Sequence, residues 1–435
     1  MVGGGVDQAT LLMLMDENGE LLWARKFEIL DNQIDEVYGM TLDSDGHVIV
    51  TVRGHPTGPT DNAVFKYDYR NDEILWVYYM PSPDLTRLTV IREIRPGGNY
   101  LIAGMTGPNS TPGGGCDGLL LELDRNTGAI VAMHNYHREN CENYNALLIE
   151  RDFIYAGGSY HIGSGFDKIR PGISKFTLDG EEIWSATYIF PDQNKTARLY
   201  VQDLLLEGDT LVAFGRGDPE GTDPNHSIIF FKVDARDGTL FWAKEYHFSS
   251  GAIGQGGNLI PAPGGYICQG FYQENEDRDI YHMKLDWAGN PEWIYKFGGD
   301  GFDQATDLLW NDSTFYFTGS SSLVPEYSFS VIWGEMPMEG LPNGWECESF
   351  QVIEVQVSKF EPFYQLVSLF RYDKVFTYTP GNLVAEATAM ERTQACGVEE
   401  PQEDCFNGID DNGNGLVDCE ESQCTCAEPC RILPS

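Results

Sequence analysis

Positive charge is scarce in this chain of 435 residues: 28 Lys and Arg stand against 67 Asp and Glu, for a formal net charge of −39. Such a surface repels phosphate backbones, which argues against a nucleic-acid partner. Long apolar runs are missing as well. The stretch from Ile228 to Val233 is among the longest and is interrupted by Lys232, far short of the ~18 to 20 residues that a membrane helix needs. A leader with a basic and an apolar region is not visible at Met1 to Gly5; a secreted form implies that it was removed or that the chain is part of a longer surface protein. Catalytic signatures are wanting too. There is no G-x-S-x-G elbow and no H-E-x-x-H, and "GGGCDG" at Gly113 leads into a strand rather than a helix. His134 and His137 lie three apart on a strand-like stretch and so point to opposite faces.

Aromatics make up 12% of the chain, and there are 48 Gly and 22 Pro. This balance favours many strands joined by turns over helices. The strands come in a repeat. A strand, an Asp-Gly type of turn and a second strand recur as "LLMLMDENGELLWARKF", "AVFKYDYRNDEILWVYY", "GLLLELDRNTGAIVAMHNY", "ISKFTLDGEEIWSATY", "IIFFKVDARDGTLFWAKEY" and "IYHMKLDWAGNPEWIYKF". Trp23, Trp76, Trp184, Trp242 and Trp293 mark the second strand, with Ala132 in the remaining slot, at spacings of 53, 56, 52, 58 and 51 residues. Another element, a turn and a strand ending in glycine, follows each by 25 to 31 residues, at Gly54, Gly104, Gly157, Gly215, Gly270 and Gly319. Four short strands per unit is the content of one propeller blade. The tryptophans, sharing the period of the blade, read as packing between blades.

The expected fold is therefore all-β: a β-propeller of about seven four-stranded blades over residues 1–393. Six repeats are clear as far as residue 319, and an irregular seventh blade is expected over 326–391. Open strand edges require the ring to close, and Met1 to Gly5, which resembles the end of the glycine element, is expected to pair into the last blade. Alternating strand direction sends both tight turns of each blade to one face and both longer connections to the other. Loops held by a rigid scaffold collect binding residues. Asp218, Glu220, Asp223, Glu274, Glu276 and Asp277 are the acids expected on that long-loop face, where a protein or glycan ligand would sit. Cys116 and Cys141 lie at the two ends of one hairpin unit and are expected to bond, Cys268 reads as a buried thiol, and Cys347 is expected to pair with the tail.

Residues 394–435 form a distinct tail holding Cys396, Cys405, Cys419, Cys424, Cys426 and Cys430. Their density, with no histidine and no C-x-x-C spacing, points to disulfides in an oxidising compartment rather than to zinc. Within the tail, "DDNGNGLVDCEE" places Asp410, Asn412, Asn414, the Leu416 carbonyl, Asp418 and Glu421 at the positions of a twelve-residue calcium loop. Gly415 permits its sharp bend, and the oxygens wrap one hard cation. Calcium is the cofactor this spacing implies.

Three resemblances follow from these residues. "KVDARDGTLFW" resembles the Trp-docking repeat of quinoprotein-type propellers. "KFGGDGFDQATDLLWNDSTFYFTGSS" is similar to the short repeats of secreted bacterial β-propeller proteins. "CFNGIDDNGNGLVDCEESQC" resembles the acidic Cys-rich repeats in secreted proteins of the Bacteroidetes type. They imply an architecture and an extracellular or cell-surface location, and hardly any function. The expectation is a non-catalytic binding, adhesion or scaffold module; the alternative is a quinoprotein-like or carbohydrate-active enzyme working in the central funnel.

Overall fold

The computed structural model describes the strands and most tight turns from residue 2 to residue 387. The loops at 28–33, 56–60, 108–114, 162–168, 190–196, 220–227, 322–329 and 341–349, some shorter loop segments, and everything beyond 387 lie outside the described residues.

The described residues form a β-propeller of four-stranded blades, with strands and no helix. Seven antiparallel meanders follow one another along the chain. The first is Val2–Val6, Ala9–Met15 and Leu21–Phe27; the second is Ile34–Leu42, Val48–His55, Asp61–Asp68 and Glu73–Pro81. The third is Leu85–Glu93, Tyr100–Thr106, Asp117–Leu123 and Ile130–His137; the fourth is Glu142–Glu150, Phe153–His161, Ile169–Thr177 and Glu182–Ile189. The fifth is Ala197–Glu207, Thr210–Pro219, Ile228–Asp234 and Leu240–Phe248. The sixth is Ile253–Ala262, Gly265–Glu274, Asp277–Asp286 and Pro291–Phe297; the seventh is Gln304–Asn311, Thr314–Ser321 and Ser330–Pro337. Hydrogen bonding joins them into six sheets, because one parallel bridge between Ile169 and Arg198 ties the fourth to the fifth. The strands of a full meander are called a to d, from inner to outer.

Apolar side chains fill every seam between neighbours. Leu12 and Phe27 pack with Val50 and Phe65 between the first two meanders. Trp76 and Tyr78 pack with Ile102 and Leu121 at the next seam. The pattern continues to Ile280 and Phe297 against Phe315 and Phe317 between the sixth and seventh. Trp333 then packs against Leu11, Met13 and Ala24 of the first meander. The expectation that Met1 to Gly5 joins the last blade is corrected. Val2–Val6 pairs with Ala9–Met15, its neighbour across a short turn.

A second correction concerns 326–391. Among the described residues of this stretch, only Ser330–Pro337 adds to the seventh meander. The remainder runs backwards round the ring as short strands on the outer edges: Phe350–Val352 on the sixth meander, Val355–Phe360 on the fifth and Phe363–Val367 on the fourth. Phe370–Tyr372 continues on the third, Thr379–Pro380 on the second and Ala385–Ala387 on the first. An exposed outer strand presents unpaired amides and carbonyls, and this belt pairs with six of them.

Two local devices recur. Each a strand of the second to seventh meanders carries a one-residue bulge, between Val37 and Gly39, Leu88 and Val90, Tyr144 and Ala146, Val201 and Asp203, Gly256 and Asn258, and Ala305 and Asp307. Opposite five of these bulges stands a glycine: Gly104, Gly158, Gly215, Gly270 or Gly319. A Cβ at any of them would fall on a carbonyl oxygen of the bulged strand, so four of the six repeat glycines, Gly104, Gly215, Gly270 and Gly319, admit the bulge. In the fourth meander Gly158 does so rather than Gly157, and Gly54 faces no bulge. The second device is Trp docking. Trp76, Trp184 and Trp242 sit over the positive-φ glycines Gly128, Gly238 and Gly289 in the c–d turn of the following meander, and Trp293 sits over Gly340 just after the c strand of the seventh. The Trp76 indole N–H donates to the Arg125 carbonyl at 3.1 Å. Where the register slot holds Ala132, His134 takes the place over Gly180.

Candidate functional site

Strand direction sends the a–b and c–d turns to one face and the b–c loops and d–a connections to the other. The tight-turn face is held by ion pairs. Asp43 is buried and receives Lys66 at 2.9 Å, the Tyr100 hydroxyl at 2.7 Å and Arg125 at 3.4 Å, and its other oxygen accepts the His47 amide at 2.8 Å. Burial opposes its ionisation, but the His47 amide, Lys66 and Tyr100 outweigh that and hold its carboxyl well below the usual range. Asp43, Asp45 and His47 bring three donor atoms together, yet Arg125 bonds Asp45 and Glu93 as well as Asp43. Two protein cations already neutralise this cluster, which makes it a structural knot.

On the long-loop face, the start of a c strand, the end of the adjoining d strand and the start of the next a strand meet at each junction. Between the third and fourth meanders this brings Asp117, His137 and Glu142 together, with donor atoms within 4.8 Å of one another. Both carboxylates are fully buried. His137 Nδ1 lies 2.9 Å from Asp117 Oδ1, and Glu142 accepts the Arg138 amide at 3.2 Å. The Cys116–Cys141 disulfide stands beside them at an isolated parallel bridge. Cys141 opens the fourth meander, so the bond links two neighbouring units. The expectation that it spans one unit is corrected, for the chain has left the third meander at Arg138.

The junction between the sixth and seventh meanders repeats this layout. Asp279, Gly298 and Asp303 hold the register positions of Asp117, His137 and Glu142, and the parallel bridge is made by Arg278 and Phe302. Here the Arg278 guanidinium lies 4.2 Å from the Phe302 ring where the other junction has its disulfide. Lys296 bonds Asp279 at 2.6 Å. Burial nonetheless pushes the Asp279 carboxyl up to about 6, with Asp277 and Asp303 adding to the rise against the pull of Lys296. A carboxylate–imidazole–carboxylate set can hold a divalent cation or pass a proton; the lysine-neutralised set cannot do the first. No protein-level motif marks these residues. Superposing "CDGLLLELD" on "RDIYHMKLD" would have placed both aspartates at one repeat position.

Nearer the axis, the a strands carry Asp203 and Asp307 next to their bulges. Asp203 accepts the amide of Leu204 at 2.8 Å and, across the seam, that of Leu259 at 2.9 Å. Burial pushes its carboxyl up to about 6 although both amides pull the other way. Asp307 accepts the Leu308 amide at 2.9 Å, and burial raises it too. Arg92 draws both carboxylates down from across the funnel.

Of the acids expected on the long-loop face, Glu274 accepts the Tyr272 hydroxyl at 2.9 Å and Asp277 accepts the Gly301 amide at 2.8 Å. Asp218 is on a b strand facing Arg198 in register; its side chain, with Glu220, Asp223 and Glu276, lies outside the described residues. So do Cys347, Cys396, Cys405, Cys419, Cys424, Cys426, Cys430 and the calcium-loop positions Asp410, Asn412, Asn414, Leu416, Asp418 and Glu421. Cys268 is a buried free thiol whose pKa burial raises. No protein-family model matches the chain, and no characterised protein is detectably similar to it in sequence.

Proposed function

We propose that this chain is an extracellular or cell-surface binding and scaffold module: a seven-bladed propeller that takes a protein or glycan ligand on its long-loop face, with a disulfide-rich tail that binds calcium. Seven meanders and the packing of Trp333 against the first of them support the count of seven. The observation that carries the binding reading is the contrast between a constant frame and variable loops. The bulges and glycine-docking contacts recur from unit to unit, while the b–c connections range from two residues, between Glu274 and Asp277, to ten, between Thr106 and Asp117. Variable loops on a repeated frame are where recognition resides. The test is a glycan and protein array probed with oxidised full-length protein and with a variant whose 108–114 and 162–168 loops are cut to short Asn-Gly turns. Capture by the first and not the second is expected; equal capture would reject the long-loop face.

One observation favours an enzyme working in the funnel instead, namely the two raised carboxyls Asp203 and Asp307 on innermost strands. Glycoside turnover that Asp307→Asn abolishes would establish it. For the tail, only three of the five side-chain ligands are carboxylates, so a calcium Kd of about 10⁻⁴ to 10⁻³ M is expected, the range of extracellular modules. Calorimetry on the full chain should find one such site and lose it in Glu421→Gln. Equal binding by the variant would remove calcium from this loop.

A further inference from the structure

Arginine behaves differently on the two faces. Towards the tight turns, Arg25 pairs with Asp72 at 3.0 Å, Arg236 with Asp234 at 2.5 Å, and Arg125 with three carboxylates. Strand direction places Arg53, Arg87, Arg138, Arg170 and Arg278 at the long-loop ends of their strands or just beyond. In a chain with 67 acidic residues, none of these five side chains is paired with a carboxylate among the described residues. Their partners are rings, amides and one another. Arg278 lies 4.0 Å from the Phe271 ring and donates to Gln273 at 3.1 Å. Burial, with Arg138 beside it, lowers Arg170 from the usual arginine range.

The tightest of these arrangements is built around Tyr38. This residue is the extra one of its a-strand bulge, between Val37 and Gly39, and a bulge re-aims the side chain it carries. Arg53, from the adjoining b strand, lies 5.6 Å from the Tyr38 ring centroid and donates to its hydroxyl at 3.1 Å. Arg87, from the a strand of the next meander, lies 5.5 Å from the same centroid. The Nε atoms of both are buried without a hydrogen-bond partner. Two like charges thus share one ring, each with an unmet donor, and among the described residues no carboxylate pairs with either.

We propose that Arg53, Arg87 and Tyr38 form the recognition site for a small carboxylate-bearing ligand at the long-loop mouth of the funnel. The site rests on the binding-face reading and gives it a ligand chemistry. Guanidinium forks match a planar carboxylate, and an anion seated between two of them turns their repulsion into attraction. A net charge of −39 turns away polyanions, so the ligand carries one or two charges, as a free uronic acid or the uronate end of a glycan does.

The experiment is calorimetry on full-length protein at constant ionic strength in chloride. Sodium glucuronate is the first probe, a short oligogalacturonate the second and sodium sulfate the third, each with melting curves. Glucuronate is expected to bind and raise the melting temperature. Arg53→Gln and Arg87→Gln each weaken binding at least tenfold, and Arg151→Gln on the opposite face does nothing. In chloride alone Arg87→Gln melts no lower than wild type, since it removes one of two unneutralised like charges. Tighter binding of the oligomer marks a glycan end, and equal binding per site marks a free acid. Unchanged glucuronate binding in both variants would overturn the site while leaving the long-loop face to its array test. An Arg87→Gln protein that melts several degrees lower, with no response of wild type to any probe, would show the pair to be structural. Sulfate bound as tightly as glucuronate would overturn the carboxylate assignment.

Discussion

His282 shows how much one side chain on this frame can matter. It is fully buried on a c strand between Phe315 and Phe317, with ring distances of 5.3 and 4.5 Å, and neither ring nitrogen has a partner. Burial pushes its pKa down to about 3. The folded protein therefore keeps it neutral at a pH where the unfolded chain, with a pKa near 6.5, takes up a proton. Stability from this group is complete above pH 6.5 and falls as pH drops towards 3, by on the order of 4 kcal/mol in all. Urea midpoints at pH 7 and pH 4.5 should differ markedly less in His282→Phe than in wild type, with the variant at least as stable at pH 7. Asp203 acts in the opposite sense. Its folded pKa of about 6 lies above the ordinary carboxyl value, so its contribution is present at low pH and lost as pH rises through 6. Residue pairs also change together. Lys66, Lys175, Lys232 and Lys284 stand opposite Trp76, Trp184, Trp242 and Trp293 across the c–d ladder, and the blade with Ala132 has Glu122 in the lysine's place. Trp23 faces Leu14 instead, so the ring does not require the lysine; where both are present the lysine lies along the ring, as Lys232 near Trp242 at 5.8 Å illustrates.

At the scale of the element, the a-strand bulge governs what a glycine costs to replace. Gly264 sits in a turn at φ +79 with open space round its Cβ position, so Gly264→Ala should cost ~1 kcal/mol, from backbone conformation alone. Gly215 needs no left-handed backbone, but a Cβ there would run into the Tyr200 carbonyl of its own sheet. Gly215→Ala must therefore shift the bulge and should cost upwards of ~2 kcal/mol. Chemical denaturation of the two variants checks the order, and an equal cost would mean that the bulge yields freely. A second bulge, in the c–d ladder opposite Leu14/Met15, Lys66/Tyr67, Glu122/Leu123, Lys175/Phe176 and Lys232/Val233, has a visible consequence as well. Leu22, Leu75, Val131, Ile183 and Phe241 each precede the docking slot and are left 39 to 59% exposed, because the extra residue turns outwards where its neighbour turns in.

For the whole molecule the belt is decisive. Its six short strands pair with the outer edges of six meanders in reverse order, so one segment holds the ring from the sixth back to the first. Without it, those edges would be free to pair with other chains. A chain ending at Ser349 is expected to melt at a lower temperature and to self-associate on size-exclusion chromatography with light scattering. A synthetic 350–372 peptide should restore part of both. A monomer of unchanged melting temperature would show that the belt is decoration.

How much of this was legible beforehand follows from the range of the forces involved. The 51- to 58-residue period, the turn chemistry and the alternation of strands are local, and they led directly to an all-β propeller with its tight turns on one face and its long loops on the other. The glycines were visible as a period, but their reason, a carbonyl of a partner strand, lies across the sheet. The same holds for 350–387, whose apolar alternation reads equally well as hairpins or as edge strands. Only the outer edges waiting on six separate meanders select the second. Asp117, His137 and Glu142 lie 20 and 5 residues apart, and two arginines meet on Tyr38 from 15 and 49 residues away. Such sites leave no spacing motif, because a ring of blades sets its neighbours by packing rather than by sequence order.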